Sequence, residues 1–260
     1  MARSVALPAE KGSWSLVSEP ILLGLLVAPS WVGAALAVGA FALFLCNRPL
    51  KVYLADRRRG RAYERTALAL RYLVIYGVVA LVGLAAGMVL GGWRPFVPLI
   101  AAAPLLAVFM AYDQRPGRFW QAELIAPVAF AAIVSAMALA DGWAWLPALG
   151  LWGFMIARAV PAVLFIRARL RLDKGKEAAS GESLPAVFAA HALAVLGVMG
   201  LVWAGWLPWL AVVAAVVLLA RAVWGLSAWR WRISVIALGF LETGFGLLAV
   251  LLVAIGFWIE

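Results

Sequence analysis

Residues 31–66 read WVGAALAVGAFALFLCNRPLKVYLADRRRGRAYERT. An apolar run from Trp31 to Asn47 gives way to a segment carrying Arg48, Lys51, Arg57, Arg58, Arg59, Arg61 and Arg65. A helix of this apolarity is suited to crossing a bilayer, and cations placed directly after it hold the next turn on the cytoplasmic side. Before Trp31, another apolar run from about residue 16 is interrupted only at Pro29 and Ser30. One uninterrupted helix over both runs would exceed a single crossing even when tilted, so a tight hairpin is expected at Pro29-Ser30-Trp31.

The same pattern repeats along the chain. Apolar segments fall at about 16–30, 31–47, 67–90, 95–112, 119–140, 143–166, 184–204, 207–227 and 233–257, which predicts an all-α bundle of nine transmembrane helices. Of the 260 residues, 67% are hydrophobic and 13% charged, with a mean hydropathy of +1.02. A soluble domain has about half apolar and about a quarter charged residues, so that class is excluded. Nine spans leave room for one integral membrane domain over 1–260 and little else.

Charge placement gives a second reading of the same count. Arg115 and Arg118 follow the fourth segment, Arg167, Arg169, Arg171, Lys174 and Lys176 the sixth, and Arg230 and Arg232 the eighth. The intervening turns, PSW, GGWRP, ADGWAW and WAGWLPW, carry Arg94 as their one cation and are rich in tryptophan. The positive-inside rule then puts the N-terminus and the basic turns in the cytoplasm and the C-terminus outside. Trp31, Trp93, Trp143, Trp145, Trp203, Trp206, Trp209 and Trp258 would form an aromatic belt at the outer face. Residues 1–15 lack the apolar core and cleavage site of a signal peptide, so the N-terminus is expected to be retained.

The net charge of +10 would suggest nucleic acid in a soluble protein, but here it lies between apolar runs and addresses membrane lipids instead. Cys46 is the single cysteine and His191 the single histidine, so neither a disulfide nor a His/Cys metal site is expected. Gly83 with Gly87, and Gly239 with Thr243, have the spacing of close helix contacts.

The two longest basic turns occupy matching places, which suggests pseudo-repeats over about 16–112 and 119–227 followed by one extra helix at about 233–257. Asn47 with Lys51, and Arg167 with Arg171, are each four residues apart and share a helix face if the helices continue through them. Pro49 would then lie near a helix end. Brought together, the two faces make a cationic cleft, to which Arg57, Tyr112, Arg118 and Arg158 are added as binding residues. Inside the apolar segments stand Glu19, Arg71, Glu123, Arg158, His191, Arg221 and Glu242, each costly there unless paired or hydrated. They are candidates for a shared cavity, with structural ion pairs as the plain alternative.

The stretches PAEKGSWSLVSEPILLGLLVAPSWVG (8–33), RPLKVYLADRRRGRAYERT (48–66) and YDQRPGRFWQAE (112–123) resemble the YwiC-like family of bacterial integral membrane proteins. Lys11 stands where that resemblance leads one to expect histidine. The family likeness implies a membrane protein and assigns no activity. More distantly, nine spans with polar motifs after the second and sixth resemble the layout of UbiA-type intramembrane prenyltransferases. That likeness implies an isoprenoid diphosphate held by magnesium on aspartate-rich motifs.

Here Asn47, Arg48 and Lys51 occupy the first motif, and Arg167 and Arg171 the second. Magnesium needs hard oxygen ligands, and arginines repel it; Asp56 and Asp173 are the weak candidates left for such an ion. Arginine and lysine do clamp phosphate, so an anionic lipid or isoprenoid phosphate remains the expected ligand, with little or no cofactor. Prenyl or lipid-phosphate transfer, transport or flipping of an anionic lipid or solute, and a purely structural bundle all remain open at this point.

Overall fold

A computed structural model describes residues 2–8, 13–60, 63–113, 120–175 and 183–260. Among the described residues the chain forms ten helices and no strand: α1 (Ala2–Ala6), α2 (Ser13–Val27), α3 (Trp31–Arg58), α4 (Glu64–Gly91), α5 (Phe96–Asp113), α6 (Trp120–Ala140), α7 (Trp145–Asp173), α8 (Leu184–Trp203), α9 (Leu210–Leu226) and α10 (Val235–Ile259). Seven of them, α3 to α8 and α10, are long and apolar enough to cross a membrane. The apolar α2 and α9 are shorter, at 15 and 17 residues. The protein is a multi-pass membrane protein.

The chain breaks between α2 and α3 as the sequence suggests. Ser30 caps α3 by accepting from the Gly33 amide at 3.0 Å, which satisfies one of the amides a helix start leaves open. α2 then packs mainly on α6 and α10. α1, which the apolar pattern does not announce, rests on α3 and α4, and its Ser4 carbonyl accepts from Arg48.

α3 and α7 run on well past their apolar stretches, to Arg58 and Asp173. Their tails are rich in Leu, Ala, Arg and Lys, which have high helix propensity in water. Pro49 therefore lies inside α3 and is buried, rather than marking its end. Each helix is closed by a glycine in the left-handed region, Gly60 at φ 64° and Gly175 at φ 63°, where a side chain would be strained.

The core is built where α2, α6, α7, α9 and α10 meet, around Leu23, Val134, Leu151, Phe154, Val250 and Val253. α3 and α4 form the tightest pair. A Cβ on Gly83 would come 2.7 Å from the Ala35 carbonyl and 2.8 Å from the Gly39 amide, so the pair can approach this closely only with glycine there. The other suggested small-residue contact is not made among the described residues: a Cβ on Gly239 would meet nothing within 4 Å, and the Thr243 hydroxyl bonds to the Gly239 carbonyl within α10. On α4, Val74, Val78, Leu81, Val82 and Val89 point outward, as lipid contact requires.

The turns sort to two ends of the bundle. At one, Trp93 lies tilted against Trp145 with ring centres 6.5 Å apart, Trp143 meets Phe257 at 5.1 Å, and the Trp258 indole donates to the Leu26 carbonyl at 3.1 Å. At the other lie the basic tails of α3 and α7, the start of α6 and the turn after α9.

Candidate functional site

At the basic end, Asn47 and Lys51 lie one turn apart on α3 and both reach Asp113 at the end of α5. Asn47 Nδ2 donates to Asp113 Oδ2 at 3.2 Å, and Lys51 Nζ is 2.5 Å from Asp113 Oδ1. On α7, Arg167 Nη1 is 2.6 Å from Glu123 Oε2. Asp113 closes α5 and Glu123 sits in the first turn of α6. The two basic motifs, one in each half of the chain, therefore hold the two sides of a single connection.

The other expected cleft residues divide. Tyr112 is half-buried beside Asp113, and Arg171 is half-buried one turn beyond Arg167. Arg57 folds along its own helix, donating to Tyr53 Oη at 3.1 Å with its guanidinium 5.5 Å from that ring. Arg118 lies outside the described residues. Arg158 is not at this end: it is buried in α7, about 13 Å along the helix from Arg167.

Two further placements differ from expectation. Glu123 is not a buried charge, its side chain being 41% exposed. α6 begins at Trp120, so Glu123 falls in the first turn, where a carboxylate is favoured by the amide dipoles. Arg71 is exposed on α4 rather than turned toward a cavity, as a long cation near a helix end can be when its head reaches toward the interface.

Asp56 and Asp173 are both engaged by cations. Asp56 accepts from Arg65 Nε at 3.0 Å, Arg65 Nη2 at 2.5 Å and the Thr66 hydroxyl at 2.8 Å, which fastens the end of α3 to the start of α4. Asp173 takes Arg169 Nε at 2.9 Å and Arg230 Nε at 3.1 Å. Among the described residues, no three His, Cys, Asp or Glu side chains gather as metal ligands would.

Arg169, which was not singled out from the sequence, fastens three elements together. Besides Asp173 it donates to the Gly225 and Trp231 carbonyls at the end of α9 and the turn beyond it. The alternation Arg167-Ala168-Arg169-Leu170-Arg171 carries the signal. At 100° per residue, Arg169 points away from the face shared by Arg167 and Arg171, so it needs a different partner.

Deep in the bundle a second group of charges is enclosed by five helices. Glu19 on α2, Arg158 on α7, His191 on α8, Arg221 on α9 and Glu242 on α10 are each at most 7% exposed. Arg158 Nη2 donates to Glu19 Oε1 at 2.7 Å and to the Glu242 carbonyl at 3.2 Å. Arg221 Nη1 lies 2.9 Å from Glu242 Oε1, close enough for an ion pair but without hydrogen-bond alignment. Its guanidinium lies 4.1 Å from the Phe165 ring centre and 5.7 Å from that of Phe245.

The family model for YwiC-like protein matches residues 7–138. The chain belongs to the YwiC-like family. Comparison with curated proteins and with solved structures gives no match. The YwiC-like stretch ends within α6 and so contains Glu19, Asn47, Lys51, Asp56, Asp113 and Glu123. The partners Arg158, Arg167, Arg221 and Glu242 come from the remainder of the chain.

Proposed function

We propose that this YwiC-like protein binds the phosphate of an anionic lipid or an isoprenoid phosphate at its basic end, between the tails of α3 and α7. The observation that supports this is the shared anchoring around the α5–α6 connection, with Asn47 and Lys51 on Asp113 and Arg167 on Glu123. It ties two sequence-distant cationic faces to the two packed helices α5 and α6. Asp113 and Glu123 neutralise part of the charge, and Arg48, Arg57, Arg58, Arg59, Arg171 and Lys174 add to it from the same two tails. A dianionic phosphate competes for Lys51 and Arg167 because it offers more charge and more acceptor oxygens than one carboxylate.

In this reading the chain crosses the membrane nine times, counting the shorter α2 and α9, with the basic end in the cytoplasm. The lipid tail lies along the outward apolar faces, and the phosphate sits at headgroup depth. Binding is favoured over metal-assisted prenyl transfer because Asp56 and Asp173, the carboxylates that follow the two motifs in sequence, are already shared between cations and a hydroxyl, and Asp113 and Glu123 are held by Lys51 and Arg167. The likeness of layout to UbiA-type enzymes favours an isoprenoid chain as one form of the ligand.

Native mass spectrometry of the gently purified protein tests this. An anionic phospholipid or isoprenoid phosphate should travel with the wild type and be lost from Lys51→Ala plus Arg167→Ala. Retention by a variant that stays folded and monodisperse would sink the proposal.

A further inference from the structure

The buried charges on α2, α7, α9 and α10 are independent of the basic end, and their two ion pairs are unequal. With both arginines and both carboxylates ionised the group carries no net charge, and neutralising one carboxylate leaves a cation whose charge must be met by other contacts. Arg158 and Glu19 are well bonded, whereas Arg221 and Glu242 are not. Nε, Nη1 and Nη2 of Arg221 and Oε2 of Glu242 are buried with no hydrogen-bond partner. A guanidinium has five N–H donors and an ionised carboxylate about four acceptor sites, so this pair satisfies little of either.

We propose that Glu242 is a proton-binding site inside the bundle, taking a proton from solvent hydronium and releasing its ion pair with Arg221. The step is Glu242–COO⁻ plus H₃O⁺ giving Glu242–COOH plus H₂O, with one O–H bond broken and one formed. Protonation relieves a buried carboxylate that the structure gives few donors. Arg221 can stay charged because Phe165 and Phe245 offer ring faces at 4.1 and 5.7 Å, and a desolvated cation–π contact persists when the carboxylate is neutral.

Every helix packed around this point contributes a group that Glu242 must answer to. Arg158 on α7 donates to its carbonyl, Arg221 on α9 faces its carboxylate, and Glu19 on α2 reaches the same Arg158. On α8, His191 Nδ1 lies 2.8 Å from the Val187 carbonyl, so Nδ1 carries the hydrogen and Nε2 is an acceptor. His191 and Arg158 line one small cavity, with His191 Nε2 and Arg158 Nε both unpartnered.

Infrared difference spectroscopy of the full chain in phosphatidylcholine nanodiscs, between acid and alkaline buffer, tests the site. A reversible band of protonated carboxyl should appear, exchange slowly in D₂O, shift with ¹³C-carboxyl glutamate and vanish in Glu242→Gln. Glu64→Gln should retain it. Should Glu242→Gln fail to fold, Glu242→Asp decides in its place: its band should no longer shift with labelled glutamate, whereas a band that belongs to Glu19 would still shift. A band that exchanges at once, that does not shift with the label, or that survives in folded Glu242→Gln overturns the proposal. Lipid retention in the mass spectrum is a separate readout: Lys51→Ala plus Arg167→Ala should leave the band in place.

Discussion

Gly246 and Glu19 compete for one space: an ideal Cβ on Gly246 would overlap Glu19 Oε1 and, beside it, Arg158 Nη2. Gly246 lies one turn after Glu242 on α10, so the same helix face that carries a buried carboxylate also leaves the gap in which another ion pair sits. Gly246→Ala should therefore break the Glu19–Arg158 pair or push α10 away. Leaving a buried charge without its partner costs about 3–5 kcal/mol. Thermal unfolding in detergent should show a large loss for Gly246→Ala and little change for Gly239→Ala or Gly244→Ala, whose Cβ positions meet nothing within 4 Å. Equal effects at all three positions would show that helix propensity, not the ion pair, governs.

The Glu19–Arg158 pair itself should show strong coupling. Arg158→Met strands Glu19, and Glu19→Leu strands Arg158, so each single change should cost about 3–5 kcal/mol. The double replacement removes both charges and should recover much of that loss, because apolar residues of similar volume can stand in for a buried pair. A double-mutant cycle by equilibrium unfolding checks this. Additive losses would mean that the two side chains do not interact in the folded protein.

Asp56 makes a different prediction, about magnesium. Its carboxylate already accepts from Arg65 and Thr66, so Asp56→Asn should loosen the α3–α4 turn and lower the melting temperature. The same holdings make it a poor ligand for a hard cation. Adding magnesium to the wild type should leave the melting temperature unchanged, whereas a shift that disappears in Asp56→Asn would restore this residue as a metal ligand.

How far the chain could be read in advance depends on which coordinate the sequence encodes. Depth along a helix is legible: apolar runs and basic or tryptophan-rich turns locate the helices and sort the turns to two ends. Azimuth is weaker, because a helix apolar on nearly all sides has no contrasting stripe to show which face is inside. Thus Gly83 and Gly239 look alike in spacing, yet the first touches the α3 backbone and the second meets open space. The individual buried charges were visible as ionisable residues in apolar segments, but their pairing was not: Glu19 and Arg158 are 139 positions apart. Helix ends were misjudged where hydropathy marks the end of the apolar stretch and not of the hydrogen-bonded ladder, as in α3 beyond Asn47. Glu123 was misplaced although the start of its segment agrees with that of α6, because it stands in the helix's first turn, at the edge of the apolar run and not inside it.

Asp113 gives the last prediction, and its sign is opposite to that of a removed cation. If Asp113 competes with a lipid phosphate for Asn47 and Lys51, then Asp113→Asn should remove the competitor while nearly preserving shape. Lys51 would be left with an amide in place of a charge, and the basic end would gain one unit of net positive charge. Retention of anionic lipid should rise, and its dependence on salt should steepen, since more of the attraction is then between exposed charges that ions screen over about 8–10 Å. Lys51→Ala in the same background should cancel the gain, because the freed cation is the source of it. Native mass spectra of the three proteins in one lipid mixture, with phosphatidylcholine as the uncharged reference, measure the effect. A fall in lipid retention for Asp113→Asn would show instead that this carboxylate orders the site for its ligand, and would place Asp113 among the residues that build the cleft.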